Sequence, residues 1–271
     1  MKATIGILGV FSILLGFEPQ NALADPPPPS FDLYFSDNAA IWSPFEDFLA
    51  CETELGTTLC LELFNVVCDG RGSCTGDGEL SLSGNLDGLF TGPVTAKSRC
   101  TRREEQGTRP VCQAKFKIEA EGSLTDGLTT CTGSIIMAVN GPVDLGGFYD
   151  GKARGRLDLV CAGRRARESL TGLFQYTVNP PTPWSLNVQV SQDGRKLEGT
   201  ATDSLGFSYT AKGNYSDRND ESRITLKGET DSASKGAKVM LKDLTTTGPS
   251  VTGGTAKISV QGNRSTAEIG P

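Results

Sequence analysis

Lys152, Arg154 and Arg156 alternate with Ala153, Gly155 and Leu157, and Arg164, Arg165 and Arg167 follow just after Cys161. On an extended backbone the first three cations share one face at a spacing of roughly 7 Å. In a chain of formal net charge -6, this local positive excess is suited to gripping a phosphate or an anionic polysaccharide through charge-assisted hydrogen bonds. The competing reading is a charged strand face that guards against edge pairing. Both readings require the same geometry, so the cluster stands as an anion-binding candidate.

The second chemically distinctive set is the eight cysteines, Cys51, Cys60, Cys68, Cys74, Cys100, Cys112, Cys131 and Cys161. Each sequential pair of the first six brackets a turn signal: Gly56, then Gly70-Arg71-Gly72, then Gln106-Gly107. Nearest-neighbour disulfides are therefore expected, Cys51 with Cys60, Cys68 with Cys74 and Cys100 with Cys112, leaving Cys131 for Cys161. Zinc is disfavoured because the closest spacing, Cys68 to Cys74, is wider than a C-x-x-C pair.

Histidine is absent, which removes Ser-His-Asp and Cys-His catalysis and histidine metal sites. The segment from Asp69 to Glu79 superficially resembles an oxygen-ligand loop, but Arg71 stands where an acidic or amide ligand is required. No metal or cofactor is expected. The chain carries 32 acidic residues, enough for carboxylate catalysis, yet none forms a recognisable pair. Asp77 and Glu79 share a strand face, which reads more simply as solvated surface.

The elements that must position these groups are strands. Ala114, Phe116, Ile118 and Ala120 alternate with charges, and Trp184, Leu186, Val188 and Val190 with polar residues. Phe207 to Tyr215, Ile224 with Leu226, Ala237 to Leu241 and Ala256 to Val260 repeat the pattern, that of half-buried antiparallel strands. Register adds support. A hairpin centred on Gly146 sets Val139 opposite Ala153, Met137 opposite Gly155, Ile135 opposite Leu157 and Cys131 opposite Cys161. Pairing Cys100 with Cys112 sets Ala96 by Phe116 and Val94 by Ile118, with Lys97 facing Lys115 at a small cost. A turn at Asp193-Gly194 predicts Val190 opposite Leu197, Val188 opposite Gly199 and Leu186 opposite Ala201. Thr95-Ala96-Lys97, Thr210-Ala211-Lys212 and Thr255-Ala256-Lys257 read as one strand start used three times.

The fold class expected is all-β, an antiparallel hairpin meander forming a barrel or sandwich and stapled by disulfides in its N-terminal half. Glycine-rich composition, 33 residues, agrees with many turns. Met1 to Ala24 reads as a signal peptide, with Lys2, the apolar Ile5 to Leu15 and the small-x-small Ala22-Leu23-Ala24. The expected organisation is 1–24 signal peptide, 25–50 proline-containing segment, 51–178 cysteine-rich β region and 184–271 cysteine-free β region, divided at Asn179-Pro180-Pro181-Thr182-Pro183. The same runs also read as one continuous β domain over 31–271. Phe31 to Phe35 is expected as an edge strand and Pro44 to Glu54 as a short helix. Localisation is expected to be secreted or periplasmic after cleavage near Ala24, with no transmembrane segment in the mature chain.

The function expected is a non-catalytic exported β protein that binds an envelope or extracellular polymer or a small ligand, or a structural surface component. A carboxylate-dependent polysaccharide-cleaving enzyme and a secreted inhibitor or effector are the alternatives. The partner expected is an anionic polysaccharide or envelope component, and the acidic balance argues against nucleic acid. An apolar cavity lined by the alternating faces favours a ligand carrier, a filled interior a surface binder.

Overall fold

The computed structural model describes residues 27–35, 41, 43, 48–54, 56–101, 111–143, 147–178, 182–216, 221–230, 233–247 and 250–270. The expected signal segment, Gln106-Gly107, Gly146 and Asn179-Pro180-Pro181 lie outside these residues. The strands are β1 (Ser30–Tyr34), β2 (Phe48–Glu54), β3 (Thr57–Cys68), β4 (Ser73–Gly84), β5 (Asp87–Thr101), β6 (Val111–Thr125), β7 (Thr130–Val143), β8 (Phe148–Cys161), β9 (Arg164–Thr177), β10 (Ser185–Asp193), β11 (Lys196–Asp203), β12 (Ser208–Ser216), β13 (Glu221–Gly228), β14 (Lys238–Thr247), β15 (Ser250–Val260) and β16 (Asn263–Glu268). There is no helix among the described residues.

Strands β2 to β9 form one antiparallel meander and β10 to β16 a second. β1 joins the second, Phe31 pairing with Val188 and Leu33 with Leu186. The chain thus starts one half, builds the whole of the other, and returns to finish the first. A short parallel ladder, Asn263 with Cys100 and Arg264 with Thr101, fuses β16 to β5 into a single sheet. The sheet is not closed: among the described residues β2 hydrogen-bonds only to β3 and β9 only to β8, although β2 and β9 approach each other.

Alternation explains the burial. Ala114, Phe116, Ile118 and Ala120 are buried while Lys115, Lys117, Glu119 and Glu121 are exposed, so one face of β6 looks inward. Each meander curls around its own core. Phe90, Phe116, Ile118, Tyr149 and Tyr176 belong to the core of β2 to β9. Phe31, Trp184, Tyr209, Leu226 and Ile258 belong to that of β1 and β10 to β16. The first core runs to Val178 and the second resumes at Trp184, on either side of the proline-rich stretch.

All four disulfides join directly opposed residues: Cys51 with Cys60, Cys68 with Cys74, Cys100 with Cys112, and Cys131 with Cys161. The Cys131 hairpin keeps Ile135 against Leu157, Met137 against Gly155 and Val139 against Ala153. Ala96 faces Phe116 and Lys97 faces Lys115.

Three local expectations are corrected. Residues 48–54 are strand, not helix, because β2 pairs with β3 from Phe48–Leu63 to Glu54–Thr57. The β10–β11 turn is Gly194-Arg195, so Val190 faces Gly199, Val188 faces Ala201 and Leu186 faces Asp203. Gly194 has φ 59°, the conformation a two-residue hairpin turn demands at its first central position, and glycine adopts it without strain. A two-residue change of partner preserves side-chain faces, so the inward set is unchanged. The three Thr-Ala-Lys tripeptides fall inside β5, β12 and β15, each with its alanine inward.

The Asp69 turn ties the halves together. Asp69 Oδ1 accepts from the Arg71 and Ser73 amides, each at 2.9 Å. The Gly70 amide donates to Ala233 O at 2.8 Å in the second half. A Cβ on Gly70 would meet Ala237 N and Ser234 O at 2.6 Å, so only glycine fits this approach.

Candidate ligand cavity and its rim

The two cores differ in how completely they fill. Inward-facing residues of β10 to β16 are buried almost without exception, and only Phe35 and Leu205 pack against them part-exposed. In the first half Leu82, Leu124, Ala153, Leu157 and Leu170 also point inward, yet remain only partly buried. Apolar side chains that face a core and still meet solvent mark a hollow.

That hollow is a cavity of about 580 Å³ to which every strand from β2 to β9 contributes. Leu59, Leu61, Leu80, Leu82, Phe90 and Leu124 form one wall. Ile135, Met137, Ala153, Leu157 and Leu170 form the other, with Ala50 and the Cys51 disulfide at the side. Thr171 and Gln175 supply polar side chains, and among the described residues no charged side chain lines the space. The remainder of the interior is packed: Ala114, Val139, Val143, Tyr149 and Tyr176 are buried and line none of the cavity. Tyr149 and Tyr176 pack with ring centroids 4.9 Å apart and planes tilted by 43°, and the Tyr149 hydroxyl donates to Ala114 O. Burial raises both phenols well above the ordinary range, so both stay neutral.

Glycines fill one crowded row of these strands. Gly122 of β6 faces Gly133 of β7, and a Cβ on either would come within 1.9 Å of a carbonyl oxygen on the next strand, Leu89 O or Asp158 O. At this row the neighbouring backbones leave no room for a side chain, which glycine alone satisfies.

The cation stripe sits on the outward face. Lys152, Arg154 and Arg156 are exposed on β8, opposite Leu173, Thr171 and Ser169 of β9. Arg165 and Arg167 share that face, opposite Val160 and Asp158, whereas Arg164 faces Cys161 on the other parity. The six cations therefore do not form one surface. Asp158 engages two of them, accepting from Arg167 Nε at 2.6 Å and pairing with Arg156 Nε at 2.7 Å. The Arg167 hydrogen bond, helped by the charges of both arginines, holds its carboxyl below the usual range.

Outward cations on β5 and β6 join the stripe in cross-strand rows that reasoning along one strand missed. Lys97 faces Lys115, Lys115 faces Asn140, and Asn140 faces Lys152. Thr95, Lys117, Ala138 and Arg154 form the next row. The signal was present in the Lys97–Lys115 apposition, which reads as a cost until the neighbouring strands are laid beside it.

Among the described residues no acid lines the cavity. Glu121 and Asp158 share a shallow outer depression with Ser134 between them, but it has no aromatic wall. Asp158, kept ionised by its arginines, is unsuited to donate a proton. Asp77 accepts from Asn65 Nδ2 at 3.1 Å, and Asp69 is committed to its turn. Asn263, which fits a glycosylation acceptor pattern with Arg264 and Ser265, is 4 % exposed and closed to such attachment in the folded state.

No family model matches the sequence, and comparison with curated proteins and with solved structures found no match.

Proposed function

We propose that this protein is an exported, non-catalytic carrier of a small apolar ligand held between β2 and β9. The observation carrying this reading is the cavity: about 580 Å³, inside the roughly 300–1,000 Å³ typical of small-molecule sites. Its walls are apolar and their polar neighbours are few, so binding gains come from desolvation. The disulfides cross-link the strands that form the walls, holding the hollow open against collapse. Four disulfides also fit an oxidising compartment and the leader-like Met1 to Ala24.

Nile red, a neutral apolar dye, tests the reading by fluorescence titration. Gly172 lines the cavity, and a Cβ there meets nothing within 4 Å. Gly172→Trp therefore starts its side chain in open space at the cavity, and it should weaken dye binding by roughly tenfold or more while circular dichroism stays unchanged. Undiminished binding to a folded Gly172→Trp protein would remove the cavity as the site.

A second reading concerns the outer face. Directly opposed like charges are destabilising, yet Lys97 faces Lys115 and, in the second half, Lys227 faces Lys238. Arg264 beside Thr101 links these two surfaces. An anionic polysaccharide or envelope polymer laid across the rows would relieve the repulsion, which supports such a polymer as a partner.

A further inference from the structure

We propose that the ligand is a single-chain amphiphile with an anionic head, its tail in the cavity and its head held by Lys152 and Arg154. This rests on the carrier reading and identifies what is carried.

The position of the mouth comes first. Leu170 and Gly172 line the cavity from the inner face of β9, and Thr171, Leu173 and Gln175 line it from the outer face. One strand presents both faces to the same void only where the void passes around its free edge. β9 has that edge, since it pairs with β8 alone, and β2 opposite pairs with β3 alone. Solvent reaches the same rim: Leu59, Phe148 and Leu173 line the cavity yet are 39 %, 40 % and 58 % exposed. The cavity therefore opens through the unpaired seam between β2 and β9.

The chemistry of the occupant follows. The described lining is uncharged, so it accepts an apolar chain and rejects an ionised group, which would lose its hydration without compensation. A charged head must remain at the seam. There, Thr171 and Leu173 are directly opposed by Arg154 and Lys152, one strand back at a Cα separation of about 5 Å. Both side chains are long enough to reach over the β9 edge. Arg156 and Arg167 are occupied by Asp158, whereas Lys152 and Arg154 make no ion pair among the described residues. The nearby Asp150 accepts from Gln175 Nε2 at 3.1 Å. The Thr171 hydroxyl adds a neutral donor at the same rim. Two cations with no ion pair among the described residues, beside the mouth of an apolar cavity, complement a carboxylate or phosphate head on one chain.

Displacement of bound Nile red by hexadecanoate, by a single-chain lysophosphatidate and by hexadecanol separates tail from head. The wild-type protein should bind both anions roughly tenfold or more tightly than the alcohol. That preference should shrink with added salt. A Lys152→Glu and Arg154→Glu double variant should lose the preference and retain hexadecanol and dye binding. Equal affinities of anion and alcohol in the wild type, or a preference that survives the double variant, would overturn the head assignment while the carrier reading stood. Dye binding that no chain compound displaces would overturn the amphiphile and keep the cavity. Absence of dye binding in the wild type would remove both. A difference between hexadecanoate and the lysophosphatidate tells which head is preferred.

Discussion

Asp203 is the most heavily committed polar side chain in the second half. It is 8 % exposed and accepts four hydrogen bonds, from Trp184 Nε1 at 3.0 Å, the Tyr209 hydroxyl at 2.6 Å, and the Leu205 and Phe207 amides at 3.0 and 2.8 Å. Burial, reinforced by this carboxylate, raises the Tyr209 phenol far above its ordinary value, so the hydroxyl remains a donor. Removing one acceptor strands several buried donors together, which costs more than any single net hydrogen bond. Asp203→Ala should lower stability by about 3 kcal/mol or more in urea unfolding, and Tyr209→Phe by about 1 kcal/mol. A loss below about 1 kcal/mol for Asp203→Ala would mean that water takes over the four donors. In the sequence Asp203 reads only as a turn residue before Ser204-Leu205-Gly206. Its link to Trp184, 19 residues earlier, depends on how β10 lies against β11 and is not written in local spacing.

At the scale of strands, legibility follows sequence distance. Cys131 with Cys161, and Cys100 with Cys112, were readable because a hairpin converts inward-outward parity and one covalent pair into a full register. The β10–β11 register came out two residues away because parity is blind to shifts of two, and only the φ of Gly194 separates the alternatives. The pairing of Phe31 with Val188 was not readable at all, since no turn joins those strands. The cation rows were hidden for another reason: no cysteine pair pins β6 to β7, so the rows become visible only when β5 to β8 stand side by side. Those rows predict effects of opposite sign. Lys97→Glu turns a like-charged pair into an opposite one, so it should stabilise the fold by about 0.2–1 kcal/mol. It should also weaken retention on an immobilised acidic polysaccharide and flatten its salt dependence. Stabilisation with unchanged retention would reduce the rows to solvated surface and end the polymer reading. Amphiphile binding, which uses Lys152 and Arg154, should be unaffected.

The molecule as a whole has two cores in one sheet, and the short β16–β5 ladder is too small to make them unfold together. Much of the coupling falls instead to the Asp69 turn, which pushes Gly70 against Ser234 and Ala237 and Gly72 against Gln261. The turn was legible as glycine, aspartate and serine chemistry. Its packing against a segment more than half the chain away was not, because nothing local records what a glycine leaves room for. Dye in the cavity reports the first half, and Trp184, buried in the second core, reports the other. Trp42→Phe makes that signal specific, since the chain has two tryptophans. With disulfides intact, both signals should disappear in one urea transition. Gly70→Val places a branched side chain where a single Cβ already meets backbone at 2.6 Å, an overpacking cost of roughly 1–3 kcal/mol that falls on the contact between halves. The two transitions should then separate, with Trp184 exposed at lower urea because its half carries no disulfide. Superimposed transitions in Gly70→Val, at the wild-type midpoint, would show that the halves are coupled elsewhere and that the turn is a passive neighbour.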